Sequence, residues 1–248
     1  LLSPIAASTI QYAAQCKGLT VGIFTALHTF GRDLKGNVHI HLSTTCGGLD
    51  KRNKWKKLYI HHQNLKIKWR HDIISMLREQ YKLGNLTLPK QYKTSHDFHS
   101  WMKDLYVMNW YVFLQTPCKD HILNVRYLGR YIKRPPLAET RIKNYDGATV
   151  TFTFLDHYNN TQEYKTISVF EFIARLITHI PDQYFRSIRY YGFLSNRTRS
   201  KLLPLVYKAI NQIIPKTAKK IKWRTMLWAF LGKDPLSCLR CNNEMKLS

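Results

Sequence analysis

Two β-prone runs separated by a cluster of turn residues constrain this chain more than any other feature. Leu19 to Thr29 is apolar and rich in β-formers, and Val38 to Thr45 alternates apolar with polar residues. Between them Phe30 to Asn37 carries Gly31, Asp33, Gly36 and Asn37, the residue types that turn a chain back on itself. Runs of this kind bury one face only when paired, so an antiparallel hairpin from Leu19 to Thr45 is the expected nucleus of a sheet. Gly47 and Gly48 end it.

The hairpin carries a chemical signal. His39 and His41 lie two apart on the second run, so both imidazoles project from one face, about 7 Å apart along the strand. That spacing lets two rings grip one divalent ion, although paired histidines on a half-buried strand also serve plain structural ends. His28, on the partnering run, is a candidate third ligand. The sequence leaves its register, and so the face it takes, open.

Other segments supply the rest of the fold. Ser8 to Lys17 reads as a short helix, and Trp69 to Tyr81 as a helix with Ile73, Ile74, Leu77 and Tyr81 on one face. Trp110 to Thr116 reads as a strand, broken by Pro117, and His121 to Lys133 as a helix stopped by Pro135 and Pro136. Val150, Phe152 and Phe154 alternate with threonines, which predicts a second hairpin turning near Asn159 and Asn160. Ser168 and Glu171 have capping-box spacing ahead of an apolar stripe of Val169, Phe172, Ile173, Leu176, Ile177 and Ile180. Arg199 to Ile213 and Lys216 to Leu231 read as two basic helices. The class is α+β: a mainly antiparallel sheet with packed helices, then a C-terminal β-hairpin and a basic helical region. Residues 1–145 form the first expected domain and 146–248 an accessory one.

Charge points to the partner. Lys and Arg total 39 against 15 Asp and Glu, a formal net charge of +24 over 248 residues, so a polyanion is the simplest ligand. The opening LLSPIAASTI has neither a basic n-region nor a long apolar core and reads as neither signal peptide nor membrane anchor; without an initiator Met, the chain reads as part of a longer protein. No P-loop is present, so no nucleotide cofactor is expected. Five cysteines, mostly isolated, suit a reducing cytoplasm. Cys238 and Cys241 make one half of a zinc site, and no second pair follows.

Tyr127 and Tyr131 lie four apart on the predicted 121–133 helix, which places both phenols on one face about 6 Å apart. Such pairs also arise by chance among 15 tyrosines. Arg126, Arg130, Lys133 and Arg134 surround them as phosphate contacts, and Arg141, Arg189, Lys219, Lys220, Lys222 and Arg224 extend the basic set. Aromatics interleave with cations from Tyr184 to Tyr191 and from Lys219 to Arg224, a mixture suited to stacking on single strands or to half-buried packing.

Three segments, HTFGRDLKGNVHIHLSTTCGGLD, YLGRYIKRPPLAETRI and FIARLITHIPDQYFRSIRYYGFLS, occur in the order found in the two-tyrosine transposases of the HUH nuclease superfamily, which move insertion sequences by a rolling-circle route. The resemblance runs from about Leu19 to Met245. It implies that His39 and His41 ligate Mg²⁺ or Mn²⁺, that Tyr127 and Tyr131 are nucleophiles, and that the substrate is single-stranded DNA at element ends and target. The implied product is a 5′-phosphotyrosine intermediate, and the implied setting is the bacterial cytoplasm at the nucleoid. Asn37 and Val38 stand where the family usually has His-Pro, and Leu1 to Gly18 lacks the family's cysteine-rich zinc module. A protein that binds nucleic acid without cutting it, either a decayed transposase or an RNA binder, is the alternative.

Overall fold

In the computed structural model, residues 1–88, 94–115, 129, 135–156, 159–214, 222–238 and 240–245 are described. The predicted hairpin forms around strands β1 (Gly22–Phe30) and β2 (Gly36–Thr44), which pair antiparallel. A third strand, β8 (Ile188–Gly192), adds antiparallel to the other edge of β1, giving the order β2-β1-β8. Gly192 makes this closure fit. It holds φ +61°, and a Cβ there would meet the Val21 carbonyl oxygen at 1.7 Å.

Alternation along β1 divides the sheet into two unlike faces. Ile23 points into a cluster with Ala7, Ile10, Ala14, Leu19, Val21 and Leu65, against which Leu42 and Tyr191 also pack. The helices of this layer are α1 (Leu2–Gln15) and α2 (His62–Lys82), both longer than their apolar periodicity predicts. Their contact includes a polar clasp in which Thr9 Oγ1 donates to Asp72 Oδ2 at 2.8 Å and Asp72 also pairs with Lys68. The Asp72 carboxyl is held below its ordinary range: burial would raise its pKa, and the Lys68 and Thr9 hydrogen bonds outweigh it. Phe24, Ala26, His28 and Phe30 take the opposite face.

α3 (Ser95–Val107) opens on a full capping box, Thr94 Oγ1 accepting from Asp97 N at 3.1 Å while Thr94 N donates to Asp97 Oδ2 at 2.9 Å. Its Phe98 and Met102 bury against Ile74, and Phe98 stacks on Tyr81 with centroids 3.7 Å apart. The strand expected from Trp110 does not form between Trp110 and Gln115. The reason is local. The Trp110 indole donates to the Leu105 carbonyl at 2.7 Å, folding the segment back on the end of α3, and Tyr111 and Phe113 remain exposed.

A short ribbon of β3 (Gly47–Leu49) and β4 (Trp55–Lys57) follows the first hairpin and joins it through a Thr20–Leu49 bridge. The second predicted hairpin is present as β6 (Thr149–Asp156) and β7 (Thr161–Ser168), with β5 (Ile142–Tyr145) beside β6. Asn160 supplies the left-handed turn residue at φ +54°. At the start of α4 (Val169–Ile177), Ser168 Oγ accepts from Glu171 N at 3.2 Å, while the Glu171 side chain turns to Arg175. Of the predicted stripe, Phe172 and Leu176 pack against Phe152 and Ile167, whereas Ile173, Ile177 and Ile180 are exposed. α5 (Arg199–Ala209) stops before Ile213, with Asn211 left-handed at φ +54°.

Residues Leu1–Asn211 form one unit and Gln212–Ser248 a second. The second contains α6 (Trp223–Leu231), whose Arg224 is held by Asp234 and Glu244. Cys238 and Cys241 lie in its terminal turn, where Cys238 N donates to the Asn243 carbonyl and the Cys238 carbonyl accepts from Asn242 N. Among the described residues no helix is long and apolar enough to cross a membrane.

Candidate metal centre

The register that the sequence leaves open is decided by the β1–β2 ladder. His28 stands directly opposite His39, and Ala26 opposite His41. All three imidazoles therefore share a face, since His28 and Ala26 are two apart, as are His39 and His41. Ala26 matters because its methyl leaves room above it for the His41 ring to lean toward His28. Ring centroids are 5.4 Å apart for His28–His39, 4.7 Å for His28–His41 and 4.9 Å for His39–His41. One nitrogen from each ring lies within 4.8 Å of those of the others, and this is the one such cluster of three or more ligand-bearing side chains among the described residues.

The donor chemistry fits a divalent cation. His39 Nδ1 lies 2.8 Å from the Asn37 carbonyl oxygen. A carbonyl only accepts, so Nδ1 carries the proton and Nε2 presents its lone pair, the arrangement in which a backbone oxygen orients a ligating imidazole. His28 is 6% exposed, and Phe30 stacks on it with centroids 5.2 Å and planes 13° apart, fixing its ring from the next position on the same face.

The turn between the two strands is tied down from far along the chain. Leu34, at φ +62°, is 1% exposed and buried with Phe152 and Ile167 of the second hairpin. His179 Nδ1 meets Thr29 Oγ1 at 3.1 Å and its Nε2 meets the Leu34 carbonyl at 3.3 Å, so Nε2–H donates and Nδ1 receives the threonine proton. Arg175 Nη1 donates to the Asp33 carbonyl at 3.3 Å, and Arg141 donates to the Arg32 carbonyl and, through Nε, to that of Thr153 at 2.6 Å. Burial would raise the Asp33 pKa, but the Lys35 backbone N–H and the Lys165 ammonium lower it overall.

The remaining predicted residues fall into three groups. Tyr127, Tyr131, Arg126, Arg130, Lys133, Arg134, Lys219 and Lys220 lie outside the described residues, as does the rest of the helix predicted for 121–133 apart from Gly129. Arg189, on β8 opposite Thr25, is exposed, and so is Lys222 at the start of α6. Arg141 and Arg224 have their guanidinium groups engaged by protein oxygens, Arg224 Nε reaching both Asp234 oxygens at 2.9 and 3.1 Å. From the sequence, His179 reads as a surface or phosphate-contacting histidine rather than a ligand, and Phe30 as part of a turn. Phe30 was findable, being two residues from His28 on an alternating strand. Nothing local marks His179, whose partner Thr29 is 150 positions away.

Comparison with known proteins places these features in one family. A family model described as "Putative transposase" (Y2_Tnp) matches residues 22–201. The transposase for insertion sequence element IS801 of Pseudomonas savastanoi pv. phaseolicola is 38% identical over 245 residues, covering 97% of this chain and 60% of that protein. The "Putative transposase y4qJ" of Sinorhizobium fredii (strain NBRC 101917 / NGR234) is 25% identical over 243 residues, 93% of this chain and 61% of that protein. The chain thus spans about three-fifths of the length of these relatives. No solved structure matches. The matched span begins with β1 and ends within α5, taking in the histidine hairpin, the turn that anchors it and the strand that closes its sheet: the chain belongs to the Y2_Tnp transposase family.

Proposed function

We propose that the chain is the DNA-cutting and DNA-joining part of a rolling-circle transposase, acting on single strands at element ends and target. The observation that carries this is the convergence of His28, His39 and His41 on one sheet face, with His39 Nδ1 tied to a carbonyl. The three rings would hold Mg²⁺ or Mn²⁺, which supplies charge neutralisation on the non-bridging oxygens of a phosphodiester. His28, buried and stacked by Phe30, would present its ring to the ion from a fixed direction.

Tyr127 or Tyr131 is the proposed nucleophile. Its phenolic oxygen gives up its proton and forms a bond to phosphorus as the bond to the 3′ oxygen breaks; the leaving 3′ oxygen takes up a proton, giving a 5′-phosphotyrosine and a free 3′-hydroxyl. The phosphodiester energy is conserved in that bond, so rejoining needs no nucleotide. Two tyrosines allow one strand to stay attached while another is cut. Arg126, Arg130, Lys133 and Arg134 beside them, with Arg189, Lys219, Lys220 and Lys222, are proposed DNA contacts. The proposed division of labour is nuclease chemistry on residues 1–145 and DNA binding on 146–248, the latter lending β8 to the histidine sheet. Cys238 and Cys241 would supply one half of a structural zinc site, and the setting is the cytoplasm at the nucleoid.

The test is incubation of the protein with end-labelled single-stranded DNA from element borders in Mg²⁺ or Mn²⁺. Label should survive denaturation on the protein, and EDTA, His39→Ala, or Tyr127→Phe with Tyr131→Phe should remove it. Metal-dependent cutting without an adduct would replace tyrosine by water as nucleophile; binding with neither would leave a DNA binder that does not cut.

A further inference from the structure

The densest charge in the described residues lies away from the histidine face. Five of the seven residues from Lys51 to Lys57 are Lys or Arg, and none is acidic. They sit on the β3–β4 ribbon, whose turn is built by Asp50: its Oδ1 accepts from Arg52 N and Lys54 N, both at 2.9 Å, while Asn53 takes φ +58°. Asp50 pairs besides with Lys56 at 3.2 Å, so the one neighbouring carboxylate is consumed by the turn. The Lys54 N–H contributes most to holding that carboxyl below its ordinary range. Lys51, Arg52, Lys54, Lys56 and Lys57 are all exposed.

The ribbon is also anchored. Trp55 turns inward, 6.4 Å from the Phe193 ring, in a cluster with Leu49, Val206, Leu205 and Ala209 that fixes the ribbon to α5. Between the turn and the end of α5 runs an open cleft of about 540 Å³ lined by Arg52, Lys54 and Lys208 together with Trp55, Leu205 and Ala209.

We propose that this ribbon, with Lys208, is a docking site for the sugar-phosphate backbone of duplex DNA. The proposal rests on DNA being the partner of the transposase, as inferred above, and adds a double-stranded segment held apart from the strand that is cut. The chemistry favours duplex over single strand. Single-strand sites pair cations with aromatic faces on which bases stack. Here the ribbon's one aromatic ring, Trp55, packs on Phe193 and shows only part of its surface along the cleft, while five exposed cations surround it, a balance that suits regularly spaced phosphates. A two-stranded ribbon is also of a size that lies against or within a DNA groove.

The experiment compares the unmodified chain with a variant carrying Arg52→Gln, Lys54→Gln and Lys208→Gln. Anisotropy of a fluorescent random-sequence duplex and of a single strand of equal length is followed over a range of salt, in EDTA. All three positions are exposed, so the variant should melt as the parent does. On duplex, log K against log salt should be shallower by about 0.9 for each phosphate no longer neutralised, about 2 to 3 in all. Affinity at low salt should fall tenfold or more, with a smaller change on the single strand. Unchanged duplex affinity and slope would overturn the proposal and leave a solvated basic turn. Equal decreases on both probes would overturn the duplex assignment in favour of a single-strand track. Because the readout is binding without metal, it stands whether or not the parent forms a tyrosine adduct.

Discussion

Leu34→Ala is the most informative single change in the molecule, because it leaves His28, His39 and His41 in place yet removes the pin that holds the hairpin they stand on. Leu34 is 1% exposed, its side chain lying among Phe152, Ile167 and the residues packed on them. Truncating a buried leucine costs about 2–5 kcal/mol, through forfeited transfer energy and the cavity left behind. Its backbone adds a second effect. At φ +62° a side chain with a Cβ is strained by about 1–2 kcal/mol, and alanine keeps that strain. Glycine relieves it, while giving up one more buried methyl group worth about 0.8 kcal/mol. Leu34→Ala should therefore lower stability by about 3 kcal/mol, and Leu34→Gly should be no worse despite being smaller, an inversion of the usual order. Urea titrations followed by tryptophan fluorescence and by far-ultraviolet circular dichroism give both values. For a chain of this size about 3 kcal/mol corresponds to a fall in Tm of roughly 6–12 °C. A decrease under about 1 kcal/mol for Leu34→Ala would show that the turn is not anchored through this side chain. A Leu34→Gly variant markedly less stable than Leu34→Ala would refute the strain argument.

Three further outcomes are expected. Mn²⁺ at about a hundred times its Kd should raise the Tm by an amount equivalent to about 2.7 kcal/mol, and His28→Ala, His39→Ala or His41→Ala should abolish the shift; persistence of the shift in all three variants would place the ion elsewhere. Asp72→Asn should lower stability by about 1 kcal/mol at neutral pH through the weakened Thr9 and Lys68 bonds. Since its folded pKa is lowered, the Asp72 contribution is complete above the ordinary carboxylate range and disappears as pH falls through the folded value, so parent and variant should converge in stability in acid; a constant difference across pH would contradict the assignment. Gly192→Ala should cost about 3 kcal/mol or more by forcing β8 off β1, read as a lower urea midpoint, and a near-neutral result would contradict the close approach to Val21.

What the sequence made legible was what short-range periodicity controls. The first hairpin, the second hairpin, α2 and the Ser168 cap all follow from alternation, helical spacing or turn chemistry within a few residues. The two histidines on β2 were readable for the same reason. His28 was not, because its face depends on how many residues the turn consumes, and the irregular register between His28 and Phe30 cannot be counted from the sequence. Trp110 to Gln115 has the composition of a strand but pairs with no strand among the described residues, and the Trp110 indole bond to Leu105 prevails over propensity. β8 was invisible as a sheet partner of β1, since pairing across more than 150 positions leaves no local mark.

The connections that escaped prediction share a direction. Arg141, Lys165, Arg175, His179 and the pocket around Leu34 all come from residues beyond 134, and all close on the turn at 32–35. A two-stranded hairpin alone is marginal in water, and a metal site on it would vary in geometry with every slip or twist. Holding the turn at one end and adding β8 along the free edge of β1 removes both freedoms without placing a ligand. The three histidines are thus local in sequence, but the contacts that give them a defined spacing are distributed over the second half of the chain. If the three histidines hold a metal as proposed, a substitution in that half should alter its affinity from a distance, and His179, which bonds Thr29 and Leu34 rather than any of the three histidines in these contacts, is the residue through which such an effect should be sought first.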